Sequence, residues 1–143
     1  MARTPFPVEV LTPEGQVFAG EVEMLSTRTE VGEIGVLAKH TPLLAMLQPA
    51  DLRLHLSETE VKHYAQGEGY LQVHDNRALV LVEDCFEPDR IDSAEQEERL
   101  RKAESVLAEA KTPADLTSAR FAQALRDKRR AETFLRIASG ESA

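Results

Sequence analysis

Cysteine is nearly absent from this sequence, tryptophan is missing altogether, and aromatic residues are few. The single cysteine, Cys85, cannot form an internal disulfide, so the fold must depend on its hydrophobic core, and the chain fits a reducing compartment. No sequence feature points to a group that would activate the Cys85 thiol, and we interpret it as a packing residue. A chain of 143 residues is long enough to build such a core.

Long apolar runs are also absent. No stretch of about eighteen consecutive apolar residues occurs, which excludes a membrane-spanning helix. Residues 1–7 lack an apolar run and a charged leader, so we expect no signal peptide. The sequence therefore predicts a chain that does not cross a membrane.

Basic residues are too few to balance the acidic ones, and the net charge is −8. This excess of negative charge argues against nucleic acid and anionic lipid as main partners. The charge is uneven, because residues 1–92 contain 7 basic and 16 acidic residues, whereas residues 93–143 contain 10 and 9. A more basic segment attached to an acidic body indicates two different contact surfaces.

Apolar and polar residues alternate through the first half of the chain. The segments that show this most clearly are 6–10, 22–24, 52–56 and 71–73. A period of two is typical of strands with one buried face in an antiparallel sheet. Asp75-Asn76 predicts a tight hairpin, and the run Ala78–Val82, apolar on both faces, predicts a central strand covered on both sides. The fold predicted for residues 1–88 is an antiparallel β-sandwich or flattened barrel.

From Ile91 onward the apolar residues recur at intervals of three and four, which predicts helices. Asp92 and Ser93 offer an N-cap, and Ser93 with Gln96 matches a capping box. The apolar stripe of this first helix comprises Leu100, Ala103, Leu107 and Ala110.

A second helix is predicted to begin at Pro113, capped by Thr112, and to end before Gly140. Its apolar stripe comprises Phe121, Leu125, Ala131, Leu135 and Ala138. Residues 89–143 are therefore predicted to form an antiparallel two-helix hairpin. Because both stripes are narrow and rich in alanine, the hairpin should be marginally stable and should depend on what it contacts.

No catalytic or metal-binding pattern is visible in the sequence. We interpret His55, His63 and His74 as solvated or hydrogen-bonded strand residues, because they do not combine with cysteines at metal-ligand spacing. A phosphate-binding loop, a dinucleotide fingerprint and a nucleophile elbow are all missing. The sequence thus predicts a binding protein with no catalytic residue and no metal site.

The segment from Gly32 to Leu44 is the most informative part of the sequence. It reads Gly-Glu-Ile-Gly-Val-Leu-Ala-Lys-His-Thr-Pro-Leu-Leu. It resembles the corresponding segment of the ε subunit of bacterial and chloroplast F-type ATP synthases, the equivalent of mitochondrial δ, except at Ala38 and Lys39. Further matches in the same order are Phe18-x-Gly20, Leu47-x-Pro49, Gly69-Tyr70-Leu71-x-Val73, Asn76-Arg77 and Ile91-Asp92. The resemblance covers nearly the whole chain.

This resemblance implies a non-catalytic subunit in the rotor stalk of a proton-driven machine. In this family the β domain binds the γ subunit and rests on the c-subunit ring, where it couples ring rotation to ATP synthesis. By matching position, Glu33 is expected near the polar loops of the ring and His40 near the γ and c contact region. In a bacterium the complex would lie on the cytoplasmic face of the plasma membrane, with this chain as a peripheral protein.

The resemblance also implies that the hairpin is a regulator. In this family it lies against the β domain or extends along γ towards the catalytic α and β subunits, where basic residues meet an acidic segment of β and block hydrolysis. The expected contacts are Arg126, Arg129 and Arg130, whose spacing places them close together on one helix face. Lys128 lies elsewhere on the helix. Without the resemblance, such a run is typical of a solvated helix face.

Some members of this family bind ATP through an I/L-D-x-x-R-A motif at the start of the first helix. This sequence keeps Ile91 and Asp92 but has Glu95 and Gln96 in place of Arg and Ala. A carboxylate repels a triphosphate where an arginine would attract it. We therefore expect a degenerate nucleotide site, weak or no ATP binding, and no other cofactor.

Two other classes of function stay open from the sequence. A free nucleotide sensor would use the hairpin without partners, and its helices would shift with ligand alone. An unrelated small enzyme would show turnover, although the sequence displays no catalytic group. Stable co-purification with a γ subunit would distinguish the rotor subunit from both.

Overall fold

The computed structural model describes residues 3–140. The chain forms two compact units, the first ending at Pro88 and the second beginning at Asp89. The first consists of strands and the second of helices. The predicted fold class, a β-sandwich or flattened barrel followed by a helical hairpin, is confirmed.

Ten strands build the first unit. They are β1 (Phe6–Thr12), β2 (Gly15–Val22), β3 (Met24–Thr29), β4 (Gly32–Val36), β5 (Leu43–Leu47), β6 (Ala50–His55), β7 (Val61–Gln66), β8 (Gly69–His74), β9 (Arg77–Val82) and β10 (Cys85–Phe86). They form one continuous sheet in the order β10-β7-β6-β3-β5-β8-β9-β1-β2, with β4 paired to β3 outside this path. The ladder between β1 and β9 is parallel, and the other ladders of the described strands are antiparallel. Alternation favours antiparallel sheets but does not identify the neighbour of each strand, so the sequence did not reveal the parallel pair.

The sheet closes around a single hydrophobic core. Along β1, Phe6, Val8 and Val10 are buried while Pro7 and Glu9 between them are partly exposed. The largest fully buried side chains of the unit include Phe6, Leu25, Leu47, Leu52, Leu54 and Leu71. Each such side chain contributes about 1.5–3 kcal/mol on transfer from water, so this core is the main source of stability in the β unit.

Asp75 and Asn76 form the predicted hairpin turn between β8 and β9. Asp75 and Asn76 have φ angles of 51° and 60°. Positive φ at both central residues is what a two-residue type I′ hairpin requires, and Asp and Asn tolerate it better than most residues. The prediction of a tight turn at this position is confirmed.

The prediction that Ala78–Val82 is covered on both faces is wrong. β9 is central in the strand order and buries Ala78, Val80 and Val82, but Leu81 on its other face is 42% exposed. A sheet that encloses one core has only one inner face. The alternate apolar residues of this run therefore stay outside.

A tight turn follows β4 at the two positions where the sequence departs from the family pattern. The His40 amide donates to the Leu37 carbonyl oxygen over 3.2 Å, and Lys39 within the turn has a φ of 63°. This left-handed conformation favours glycine or asparagine, so lysine adopts it at a steric cost. The Lys39 amide donates to Oδ1 of Asn76 over 2.7 Å, which attaches the turn to the β8–β9 hairpin.

Two long helices and one short helix form the second unit. After a 3₁₀ turn (Pro88–Arg90) they are α1 (Ser93–Glu109), α2 (Pro113–Leu116) and α3 (Ala119–Ala138). The second helix predicted from Pro113 is therefore divided in two. Thr112 caps α2 in a capping box with Asp115, and Ser118 caps α3 separately. The end of the last helix before Gly140 is as predicted.

Asp92, and not Ser93, caps α1. Oδ1 of Asp92 accepts a hydrogen bond from the Glu95 amide over 3.1 Å. The predicted capping box of Ser93 and Gln96 is wrong, because Ser93 is already the first helical residue and the Gln96 side chain is buried. Gln96 accepts a hydrogen bond from Arg130 instead.

The helices α1 and α3 pack as an antiparallel pair. An ion pair of 3.0 Å joins Arg120, at the start of α3, to Glu109, at the end of α1. Ala103 and Ala124 are buried and line the groove between the two helices, but Leu125, placed in the apolar stripe from the sequence, is 43% exposed. Alanines bury little apolar area, so Ala103 and Ala124 contribute little stability. The larger buried apolar side chains of α3 are Phe134 and Ile137.

Replacing Lys39 by glycine should stabilise the β unit. Glycine removes the steric cost of the positive φ, and after its greater chain entropy is subtracted we expect a gain of about 0.5–1 kcal/mol in the free energy of unfolding. Urea denaturation of the full chain measures it. Lys39→Ala is the matched control, because it removes the same charge but keeps a Cβ. An equal gain in the alanine variant would mean that the charge, and not the backbone, is the cause.

Replacing Gly69 by alanine should destabilise the β unit strongly. A Cβ at this position would overlap the backbone oxygen of Leu81 and lie 2.7 Å from the Cα of Val82. Because backbone atoms of β9 cannot move without breaking the ladder, we expect a loss of more than about 2 kcal/mol in urea denaturation. Gly20→Ala is the control, since its Cβ would meet only the Phe18 ring at 3.3 Å. Similar losses in the two variants would contradict this explanation.

Candidate functional site

Glu33 lies next to the tip of the hairpin between β3 and β4, whose turn is held by hydrogen bonds of Thr29. The Thr29 hydroxyl accepts a hydrogen bond from the Val31 amide over 3.2 Å and donates to the Gly32 carbonyl oxygen over 2.9 Å. Glu33 is the cross-strand neighbour of Arg28, and its side chain is 54% exposed. The hairpin therefore presents the Glu33 carboxylate at the surface.

Arg53 on β6 connects Glu33 to the neighbouring strands. Its Nη2 lies 3.7 Å from Oε1 of Glu33, and its Nη1 lies 3.8 Å from Oδ2 of Asp51. Its Nε donates to Oγ of Ser26 over 3.2 Å. All three nitrogens of the guanidinium group thus have a partner. Because Glu33 is half exposed, solvent screens its ion pair to at most about 1 kcal/mol, and the main effect of Arg53 is to orient the carboxylate.

Two histidines complete this polar group. Nδ1 of His63 lies 3.2 Å from both carboxylate oxygens of Asp51, and Nε2 of His55 lies 3.4 Å from Oγ of Ser26. Burial and the nearby Arg53 lower the pKa of His55. The group does not form a Ser-His-Asp triad, because Ser26 faces one histidine and Asp51 the other. The chemistry that it supports is charge pairing at a surface.

Sequence reasoning did not single out Arg53, Asp51 or His63 as members of a site. The signal that the sequence did contain was the alternation along β6, which places Asp51, Arg53 and His55 on the same outer face. Their closeness to Glu33 depends on the pairing of β6 with β3 and of β3 with β4. No local pattern predicts that pairing.

His40 lies in the turn beyond β4. Its side chain is partly exposed, and its Nδ1 lies 2.7 Å from the Thr41 carbonyl oxygen. Glu33 stands at the start of β4 and His40 beyond its end, so the strand separates them by about 10 Å or more. Glu33 and His40 therefore lie near opposite ends of β4. In the described part of the chain, β4 pairs only with β3.

An exposed apolar face lies on β5, β8 and β9. Met46, Tyr70 and Leu81 are successive cross-strand neighbours, and Leu44 lies on the same side of β5. Their exposed fractions are 71% for Leu44, 50% for Met46, 49% for Tyr70 and 42% for Leu81. A contiguous apolar patch of this kind is typical of a protein-contact surface. The sequence analysis expected Leu81 to be covered, as part of Ala78–Val82, and did not single out this surface.

The structure divides the three arginines expected on one face of the last helix. Arg126 and Arg129 are exposed, and Nη2 of Arg126 donates to Oε1 of Gln123 over 2.6 Å. Arg130 is only 8% exposed and donates to Oε1 of Gln96 over 3.3 Å. In this closed hairpin, two of the three cations face outward and the third faces inward.

The two residues expected at the degenerate nucleotide site begin α1. Ile91 is partly buried, and a carboxylate oxygen of Asp92 is engaged in capping the helix. A groove of about 380 Å³ also runs between α1 and α3. Its basic residues are Arg99, Lys102, Arg120 and Arg130.

Most of the positive charge in this groove is already compensated by the chain itself. Arg99 lies 2.8 Å from the carboxylate of Glu95, and Lys102 lies 4.0 Å from that of Glu98. A third cation of the groove, Arg120, forms an ion pair with Glu109 at the end of α1. A phosphate group entering the groove would have to displace these carboxylates.

Other chemistry finds little support in residues 3–140. No group of three or more His, Cys, Asp and Glu side chains there is arranged to hold a metal ion. Burial and the neighbouring Asp84 raise the pKa of the Cys85 thiol to about 12, so the thiol stays protonated at neutral pH. None of the helices in this part of the chain is long and apolar enough to cross a membrane.

Comparison with known sequences gives consistent matches over both units. The family model described as "ATP synthase, Delta/Epsilon chain, beta-sandwich domain" matches residues 5–88. The ATP synthase epsilon chain of Persephonella marina is 39% identical over 133 residues, which covers 93% of this chain and 96% of that protein. The ATP synthase epsilon chain of Priestia megaterium is 40% identical over 101 residues, covering 70% and 74%.

Solved structures share the fold. A chain in the Euglena gracilis mitochondrial ATP synthase structure (OSCP/F1/c-ring) aligns with a TM-score of 0.73 at 18% identity, over 90% of this chain and 78% of that one. A chain from the central stalk/c-ring structure of the Tetrahymena thermophila mitochondrial ATP synthase aligns with a TM-score of 0.62 at 17% identity, covering 95% and 98%. At these identities the likeness shows the fold.

The resemblance inferred from Gly32–Leu44 and the accompanying motifs is confirmed. The family model spans more than half of the chain, and a relative at 39% identity aligns with nearly all of it. This chain belongs to the ATP synthase delta/epsilon chain family.

Proposed function

We propose that the chain is a non-catalytic subunit of the central stalk of a proton-translocating F-type ATP synthase. It couples rotation of the c-subunit ring to ATP synthesis, and its C-terminal helices restrain ATP hydrolysis. The observation that carries the proposal is the 39% identity to an ATP synthase epsilon chain over both units of the chain. In a bacterium the protein would be peripheral, on the cytoplasmic face of the plasma membrane.

The β unit supplies two surfaces suited to the γ subunit and the c-ring. The apolar face of Leu44, Met46, Tyr70 and Leu81 offers an area that gains stability when covered. The Glu33 carboxylate, oriented by Arg53, offers a charged point at the rim of a contact. Rim charges contribute mainly to register and association rate, so Glu33 would set how the unit sits on the ring more than how tightly.

The helical unit supplies the regulatory part of the proposal. Arg126 and Arg129 present positive charge on the closed hairpin, and an acidic segment of a catalytic β subunit is a complementary partner. Because the interface between α1 and α3 includes small residues such as Ala103 and Ala124, we expect that a partner with a modest preference for the separated helices can rearrange them. A hairpin of this kind suits a brake that a partner can engage or release.

The regulatory role predicts different effects for the two units. We expect the full chain to bind a catalytic head of α, β and γ subunits that lacks its own ε, and to lower its rate of ATP hydrolysis. A chain ending at Arg90 keeps the β core and should bind without inhibiting. Hydrolysis rates and co-purification with γ measure the two effects. Equal inhibition by both chains would contradict a role for the helices, and failure of both to bind would contradict the stalk assignment.

The isolated chain should bind ATP weakly or not at all. Glu95 replaces a cation of the nucleotide motif, and Asp92 is engaged in capping α1. Isothermal titration of the full chain with MgATP should show no saturable binding below millimolar concentration. Glu95→Arg is the informative variant, because it exchanges repulsion for attraction and should bind more tightly than the unaltered chain. Saturable sub-millimolar binding by the unaltered chain would favour a nucleotide sensor instead.

A further inference from the structure

Arg130 differs from the other cations of the last helix in its surroundings. It is 8% exposed, its Nη1 donates to Oε1 of Gln96 over 3.3 Å, and its guanidinium carbon lies 4.4 Å from the centre of the Phe134 ring. Gln96 and Phe134 are themselves 4% and 0% exposed. A guanidinium group is rarely buried unless it is hydrogen-bonded, since its desolvation is costly. These two contacts partly compensate that cost in the closed hairpin.

The contact between Gln96 and Arg130 lies where it can hold the two helices together. Gln96 lies in the first turn of α1 and Arg130 in the second half of α3, so they bridge the helices at the end opposite the connecting segment. At the connected end, Arg120 and Glu109 form an ion pair whose side chains are 69% and 57% exposed. An exposed pair contributes little, and the connection already holds that end together. The buried contact between Gln96 and Arg130 therefore opposes separation of the helices at this end of the hairpin.

We propose that Gln96 and Arg130 form an internal latch, which closes the hairpin without any added ligand and withholds Arg130 from a partner. The inference rests on the proposed regulatory function of the hairpin and names the contact that regulates it. Gln96 supplies an acceptor for the Arg130 guanidinium group from within the hairpin itself. Arg130 becomes available to an acidic surface of a catalytic subunit only after α1 and α3 separate.

The latch predicts opposite functional effects for its two members. Gln96→Ala opens the hairpin but keeps the Arg130 cation, so inhibition of hydrolysis should increase. Arg130→Gln also weakens closure but removes the cation, so inhibition should decrease. A purely structural role would change inhibition in the same direction in both variants. Lys128→Gln is the matched control, because it removes the same charge from the same helix outside the latch.

Hydrogen exchange of the full chain tests closure directly. Loss of a buried hydrogen bond to a charged group should lower the protection of the α3 amides by about tenfold or more in Gln96→Ala and Arg130→Gln. Alanine favours helix slightly more than glutamine does, so lower protection in Gln96→Ala cannot come from helix propensity. Lys128→Gln should leave protection within about threefold of the unaltered chain. Unchanged protection in both latch variants would overturn the proposal.

Inhibition of an ε-free catalytic head by the same full-length variants tests the withholding of Arg130. Stronger inhibition by Gln96→Ala with weaker inhibition by Arg130→Gln supports the proposal. Weaker inhibition by both overturns it, because Gln96 would then act only as a structural residue. If the unaltered chain does not inhibit, the proposed regulatory function fails, and the exchange data decide separately whether the latch closes the hairpin.

Discussion

The single hydrophobic core of the β unit decides which residues its sheet buries and which it exposes. Its strands place alternate side chains in that core, and this requirement decides which residues remain for the outer face. On β6 it buries Leu52 and Leu54 and turns Arg53 outward, while on β9 it buries Val80 and leaves Leu81 exposed. The polar group around Arg53 and the apolar face around Tyr70 are therefore two results of the same alternation on different parts of one sheet.

The helical unit rests on a different balance of forces. Its interface includes alanines, and its exposed surface carries many paired charges such as Arg99 with Glu95. Exposed pairs contribute little and alanines bury little, so these contacts add less stability than the core of the β unit does. The larger buried side chains of α3, Phe134 and Ile137, supply the apolar burial that the alanines do not.

Two arginines illustrate how surroundings decide what a cation does. Arg53 is partly exposed and lies among carboxylates, so it orients Glu33 without a large desolvation cost. Arg130 is buried, donates to the Gln96 side-chain oxygen and lies against the Phe134 ring, so its charge is held away from solvent. The first arginine therefore stays at the surface beside carboxylates, whereas the second lies in the interior.

The fold class, the tight turn at Asp75-Asn76 and the family could be predicted from the sequence, because alternation, turn chemistry and ordered motifs are local properties of the chain. It also indicated the helical periods, although the caps at Asp92 and Ser118 and the break after α2 were resolved only by the structure. Three outcomes could not be predicted locally: Arg53 reaches Glu33, Leu81 stays outside the core, and Gln96 meets Arg130 across 34 residues of chain. These outcomes depend on which strands and helices pair with one another, and a local periodicity describes a segment's faces without naming its neighbours.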